Sequence, residues 1–120
     1  MEFEPTSDVI AEARAEGSAL VIVPIGDITA ANAPETRQEV LALLAKHSPS
    51  RVVFNLKHCE FCDSSGVAVL VEALSKLPAA SRKQGVWVAE AAQRVRGMIE
   101  ICRLTSILNL ADSEGDALGA

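Results

Sequence analysis

Two serines stand side by side between an acid and a glycine at Asp63-Ser64-Ser65-Gly66, directly ahead of the aliphatic run Val67-Ala68-Val69-Leu70. Asp and Ser are favoured caps where a chain enters a helix, so one of these side chains is expected to cap. Two adjacent serines exceed what one cap requires, and Gly66 leaves the backbone uncrowded where another molecule can approach. A helix N-terminus offers unpaired N–H groups and a partial positive charge, so a serine hydroxyl there can accept a phosphate without unfolding the helix that carries it. Up to about two added negative charges would then repel an acidic or apolar partner surface. This chemistry is a switch on association rather than a turnover.

Other reactive residues fit established chemistries less well. In Cys59-Glu60-Phe61-Cys62, continuation of the preceding strand places positions i and i+3 on opposite faces, where they cannot share a disulfide or a metal. Zinc would also need two further ligands, to be drawn from His47, His58 and Cys102. The three cysteines are therefore read as free, mostly buried thiols. A serine hydrolase needs a Gly-x-Ser-x-Gly elbow and a later histidine, whereas Cys62 occupies the first glycine position and both histidines lie upstream. No Gly-x-x-x-x-Gly-Lys-Ser/Thr loop occurs, and Gly26-Asp27-Ile28 supplies one carboxylate where a phosphoaspartate receiver needs an acidic pair. His47 reads as a helix end, His58 as a loop residue, Trp87 as sheet packing, and Arg94 with Arg96 as a solvated face. No catalytic residue, metal site or cofactor is expected.

Composition narrows the setting. A chain of 120 residues has room for one core, and 16 acidic against 11 basic side chains give a formal charge of −5. No basic stripe is present to neutralise nucleic-acid phosphates, so nucleic acid is excluded as a partner. The apolar runs are interrupted well short of the ~18 to 20 residues of a membrane span, and Met1-Glu2-Phe3-Glu4-Pro5 lacks the pattern of a secretory signal. The expectation is a cytoplasmic domain without direct membrane insertion. Its oligomeric state is not legible.

The elements that must position the serines follow from periodicity. Residues 8–15 alternate loosely, with Val9, Ala11, Ala13 and Ala15 on one face, and Gly17 separates them from the apolar run 19–25, which predicts a hairpin. Asn32-Ala33-Pro34-Glu35 carries a helix start with a capping side chain, and Thr36, Val40, Leu43, Leu44 and His47 recur at helical spacing. Arg51 to Leu56 reads as the central strand. Val67, Leu70, Val71, Leu74 and Leu77 form the core stripe of a second helix ending at Pro78, while Ala68, Val69 and Ala73, with Glu72 and Lys76, lie opposite it. Those small apolar residues are either packing against a neighbouring helix or a docking patch beside the serines. Residues 79–85 suit an exposed connection, 86–89 a strand, Val95, Met98, Ile99 and Cys102 a third helix, and 107–110 a last strand. The end, 112–120, forms a helical turn or two capped by Ser113 or Asp112, or frays. Such alternation implies an α/β fold with parallel strands joined by right-handed crossovers and an opening hairpin that makes the sheet mixed.

The stretch from about Ala19 to Leu110 resembles the STAS domains shared by sulfate transporters and bacterial anti-sigma factor antagonists. The motif Asp63-Ser64-Ser65-Gly66-Val67-Ala68-Val69-Leu70 is the strongest match. The Gly26 turn leading through Ala30-Ala31-Asn32-Ala33, and the strand Val86 to Ala89 followed by an Arg-containing helix, also match. The resemblance implies a single STAS-like domain, core about 8–111 with mobile termini 1–7 and 112–120, built on a mixed, mostly parallel sheet of four to five strands with three to four helices. In stand-alone antagonists the serine before the glycine is phosphorylated by an anti-sigma factor kinase, which abolishes binding until a phosphatase restores it. That match implies Ser65 as acceptor, with Ser64 the lesser candidate, and a partner surface of Asp27, Thr29, Asn32, Asp63, Ser64, Ser65, Gly66, Val69, Glu72 and Ala73. Thr29 stands where the family usually has Asp, Asn55-Leu56 where Asp-Leu is common, and the Gly66 to Gly85 connection is a few residues longer than usual. Two partners are thereby implied: an anti-sigma factor serine kinase with its phosphatase, or a transporter ATPase on which an unphosphorylated STAS subunit docks.

Overall fold

The computed structural model describes residues 2–3 and 7–120. Side-chain alternation along two strands sets its architecture. In β3 (Ala19–Pro24) Leu20 and Ile22 face one side and Val21 and Val23 the other, and in β4 (Arg51–Asn55) Val52 and Phe54 oppose Val53. All are buried, so both strands are covered on two faces and must lie inside the sheet. Registry extends each layer: Leu20 pairs with Val52 and Ile22 with Phe54, and these in turn with Val86 and Val88.

The sheet holds six strands in sequence order, completed by β1 (Glu2–Phe3), β2 (Ile10–Glu16), β5 (Val86–Ala89) and β6 (Asn109–Ala111). β1, β2 and β3 are antiparallel, and β3 through β6 parallel. Because each right-handed crossover steps to the next strand in the same direction, α1 (Ala33–His47), α2 (Ser64–Leu74) and α3 (Gln93–Ile101) fall on one face. Val40, Leu44, Val67, Leu70, Val95 and Ile99 pack there with Phe54. The opposite face is covered by α4 (Glu114–Gly119), whose Ala117 meets Val21, Val23, Val53, Ala89 and Ala111. Ser113 caps α4 by accepting from the Asp116 N–H at 3.0 Å. This is the single mixed α/β sheet domain expected, with the two-residue β1 extending its antiparallel edge. The expected mobile stretch 1–7 falls partly outside the described residues.

Several local expectations are corrected. A bulge between Ile10 and Glu12 breaks the alternation of β2, so Val9, Ile10 and Ala13 join the helix-side core while Ala11 turns to the α4 side. Asn32 precedes α1 but its side chain does not cap it; Oδ1 accepts from the Thr29 N–H (3.0 Å) and Nδ2 donates to the Asp27 carbonyl (2.8 Å), closing the loop behind. Helix α2 stops at Leu74, where the Ser75 hydroxyl donates to the Glu72 carbonyl at 2.7 Å. The connection after Pro78, exposed as expected at Ala79, Ala80 and Arg82, is wound into a 3-10 helix over Ala79–Gln84, and the last strand begins only at Asn109, after a turn in which the Leu108 N–H donates to the Leu104 carbonyl.

Candidate functional site

Gly26, at φ 63°, turns the chain out of β3 into the loop 26–32, and the loop 56–63 leaves β4 beside it. Parallel neighbours end at the same edge of a sheet, which brings these loops together. Backbone bonds join them: the Ile28 N–H donates to the Phe61 carbonyl and the Asp63 N–H to the Ile28 carbonyl, both at 3.3 Å. The Asp27 carboxylate accepts from the Glu60 (2.9 Å) and Phe61 (3.1 Å) N–H groups and so holds the second loop from the first.

Asp63 completes the junction. Its Oδ1 accepts from the Gly66 N–H at 2.9 Å, capping α2, and its Oδ2 accepts from the Ala30 N–H at 2.9 Å, tying the cap to the other loop. These N–H groups, Gly66 first, hold the carboxyl below its usual range by favouring the charged form. Gly66 lies under the Ile28 carbonyl so closely that a Cβ would overlap the carbonyl oxygen. The glycine is required by backbone approach rather than by its own dihedral angle.

With Asp63 serving as cap, the two serines occupy the first positions of α2. Ser64 is exposed and Ser65 half-buried. Ser65 lines a groove of about 410 Å³ between the starts of α1 and α2, with Ala30, Ala33, Pro34, Ala68 and Val69. Across its far end the Arg37 guanidinium grips Glu72 through two bonds of 2.5 and 2.6 Å. This pairing raises the Arg37 pKa and lowers that of Glu72.

The structure thus gathers Asp27, Thr29, Asn32, Asp63, Ser64, Ser65 and Gly66 at one sheet edge. Thr29 takes part in the turn, its Oγ1 accepting from the Ala31 N–H. Val69 and Ala73 do not form an open patch: at 4% and 0% exposure they are buried in the helix-side core, Val69 forming part of the groove wall. Ala68 alone of the three small residues is exposed. Sequence reasoning missed Ala30, Ile28 and Arg37. The first two act through the backbone, and the Arg37–Glu72 pairing joins separate helices with no spacing signal. It also placed Cys59 and Cys62 on opposite faces; in the turn their sulfurs lie 3.4 Å apart, both buried. Cys62 as S–H donor lowers the Cys59 pKa, while that bond and burial raise the Cys62 pKa. Among the described residues no group of three His, Cys, Asp or Glu side chains could hold a metal ion, and no helix is long and apolar enough to cross a membrane.

Known proteins share this fold. An anti-sigma factor antagonist from Mycobacterium paratuberculosis is 27% identical, with 89% of this chain and 88% of that one aligned at a TM-score of 0.78. A chain of the Acinetobacter MlaFEDB complex in an ATP-bound conformation is 26% identical, with coverage of 82% and 98% and a TM-score of 0.62. The anti-sigma factor antagonist SpoIIAA in its unphosphorylated form, 18% identical, shares the fold at a TM-score of 0.70 over 98% of this chain and 93% of that one. No curated protein matches the sequence. The STAS domain model matches residues 11–117, a span that takes in both loops of the site and the helices they open, and by that match the chain belongs to the STAS domain family.

Proposed function

We propose that this domain is a partner-switching binding module of the anti-sigma factor antagonist type, acting without catalysis in the cytoplasm. In its unmodified form it docks on an anti-sigma factor serine kinase through the serine edge of α2. Phosphorylation of Ser65 releases the partner, and a phosphatase restores binding. The observation that carries this reading is the division of labour at the helix start. Asp63 provides the cap and the loop tie, and the half-exposed Ser65 hydroxyl has no hydrogen bond among the described residues. A phosphate there adds charge at a helix N-terminus without breaking a structural bond. The similarity to the Mycobacterium paratuberculosis antagonist supports the same reading.

The test is radiolabelling by the cognate kinase and ATP, after capture of that kinase on the immobilised domain. Wild type and Ser64→Ala gain one phosphate, and Ser65→Ala gains none. Equal labelling of all three proteins rejects Ser65.

A second reading is supported by the similarity to the Acinetobacter complex chain, almost all of which this domain covers. On it the domain is a STAS subunit docked on a transporter ATPase through the same edge, without phosphorylation. It predicts that Ser65→Asp leaves partner affinity unchanged, whereas the switch predicts a loss of at least about 1.4 kcal/mol, tenfold in affinity.

A further inference from the structure

The Cys59 and Cys62 thiols lie outside the role assigned to the serine edge. The turn after β4 doubles back, with the Cys59 N–H donating to the Leu56 carbonyl at 3.0 Å, and this curl turns both sulfurs inward to 3.4 Å from one another. Exposure is 2% at Cys59 and 0% at Cys62, yet Lys57, His58 and Glu60 on the same turn are exposed. The pair is thus roofed by one surface turn, which the Asp27 carboxylate straps down through the Glu60 and Phe61 N–H groups. A disulfide bond is about 2.05 Å long, so closure asks the two sulfurs to approach by roughly 1.4 Å, a distance small against the freedom of two χ1 rotations.

We propose that Cys59 and Cys62 form a reversible modification site, a dithiol that a small hydroperoxide converts to an intramolecular disulfide. Cys59 is the attacking sulfur: its S–H is directed at the Phe61 carbonyl (3.3 Å), which leaves the Cys62 S–H to bond the Cys59 sulfur at 3.4 Å and favour its thiolate. The Cys59 thiolate attacks one peroxide oxygen; an S–O bond forms, the O–O bond breaks, and the leaving oxygen departs with the proton Cys59 gave up. The Cys62 sulfur then attacks the resulting sulfenic acid at sulfur. An S–S bond forms, the S–O bond breaks, and water leaves with the Cys62 proton. Two electrons pass from the thiol pair to the peroxide, and an external thiol in excess returns them.

The consequence is felt at the serine edge whatever that edge binds. Cys62 is bridged to Ile28, the Asp63 N–H donates to the Ile28 carbonyl, and that same carbonyl covers Gly66. Drawing Cys62 towards Cys59 therefore moves the start of α2 before any other element.

The experiment exposes the folded full chain to hydrogen peroxide, blocks remaining thiols with iodoacetamide in denaturant, and maps tryptic peptides by mass. Peptide 58–76 should lose about 2 Da and take up no alkyl group, peptide 97–103 should retain an alkylated Cys102, and dithiothreitol should reverse the change. Cys62→Ser should abolish the loss and Cys102→Ser should not. Amide spectra of the oxidised protein should shift most at Ile28, Asp63 and Gly66. The proposal is overturned if peptide 58–76 keeps two alkylatable thiols when Cys102 has oxidised, if it gains oxygen without cross-linking, or if those amides do not move.

Discussion

The carbonyl of Ile28 lies directly over Gly66, its carbon 2.9 Å from where a Cβ on that residue would stand. The contact lets the two loops close on one another, and it makes the third residue of α2 intolerant of any side chain. In an ordinary helix position Gly→Ala gains up to about 1 kcal/mol. At Gly66 the added methyl instead forces backbone apart, and overpacking of this kind costs about 1–3 kcal/mol. Gly66→Ala should therefore lower the urea midpoint. Gly97→Ala in α3, where a Cβ meets nothing within 4 Å, should raise it. A stabilised Gly66→Ala would show that the loops do not approach this closely.

Asp63 joins cap and loop tie in one carboxylate, which makes its contribution pH-dependent. Its folded pKa lies below the ordinary 3.8, so the charged form is the one that the Gly66 and Ala30 N–H groups hold. A depressed folded value means the stabilisation is fully present above the unfolded pKa and is lost as pH falls through the folded one. Asp63→Ala should be less stable than wild type at pH 7, and the two should converge as the pH drops below about 4. Thermal unfolding of both proteins between pH 7 and pH 2.5 measures this; a gap that stays constant contradicts the assignment.

Asn55 stands buried at the end of β4, its Nδ2 donating to Glu90 (2.8 Å) and Glu114 (3.1 Å) and its Oδ1 accepting from the Lys57 N–H (3.1 Å). An aspartate at this position could keep the last of these bonds but not the two to carboxylates. Asn55→Asp should cost on the order of 2–4 kcal/mol at pH 7, since it removes two charge-assisted donors and adds a like charge. Burial beside two carboxylates raises the pKa of the new group, so the penalty is present at high pH and relieved as pH falls through that raised value. Urea titrations at pH 8 and pH 5 should show the deficit shrinking at the lower pH. Hydrogen exchange in α4, which Glu114 begins, should be faster in the variant at pH 8. An equal deficit at both values would mean that charge is not its cause.

Much of this site is legible in the sequence because local chemistry dictates it. Asp63, Ser64, Ser65 and Gly66 specify a capped helix start by residue type, and the aliphatic spacing after them specifies the helix. The apposition of Ile28 with Gly66 is not legible, because a backbone contact leaves no side-chain pattern beyond the glycine itself. Val69 and Ala73 read as opposite the core stripe, since a helix packed on both sheet and α1 buries more than one stripe. The approach of Cys59 to Cys62 is not legible for a different reason: strand alternation ends by Leu56, where the chain turns and i, i+3 neighbours converge.

Control of association by a phosphate on Ser65, the switch proposed above, is read from the affinity of the captured partner for two forms of the full chain. One carries serine and the other phosphoserine at position 65, and calorimetry is run at the same salt concentration because screening weakens charge effects. Binding at least tenfold weaker for the phosphoserine form, with an unchanged unfolding midpoint, is the result the switch predicts. Equal affinities for the two forms would contradict it.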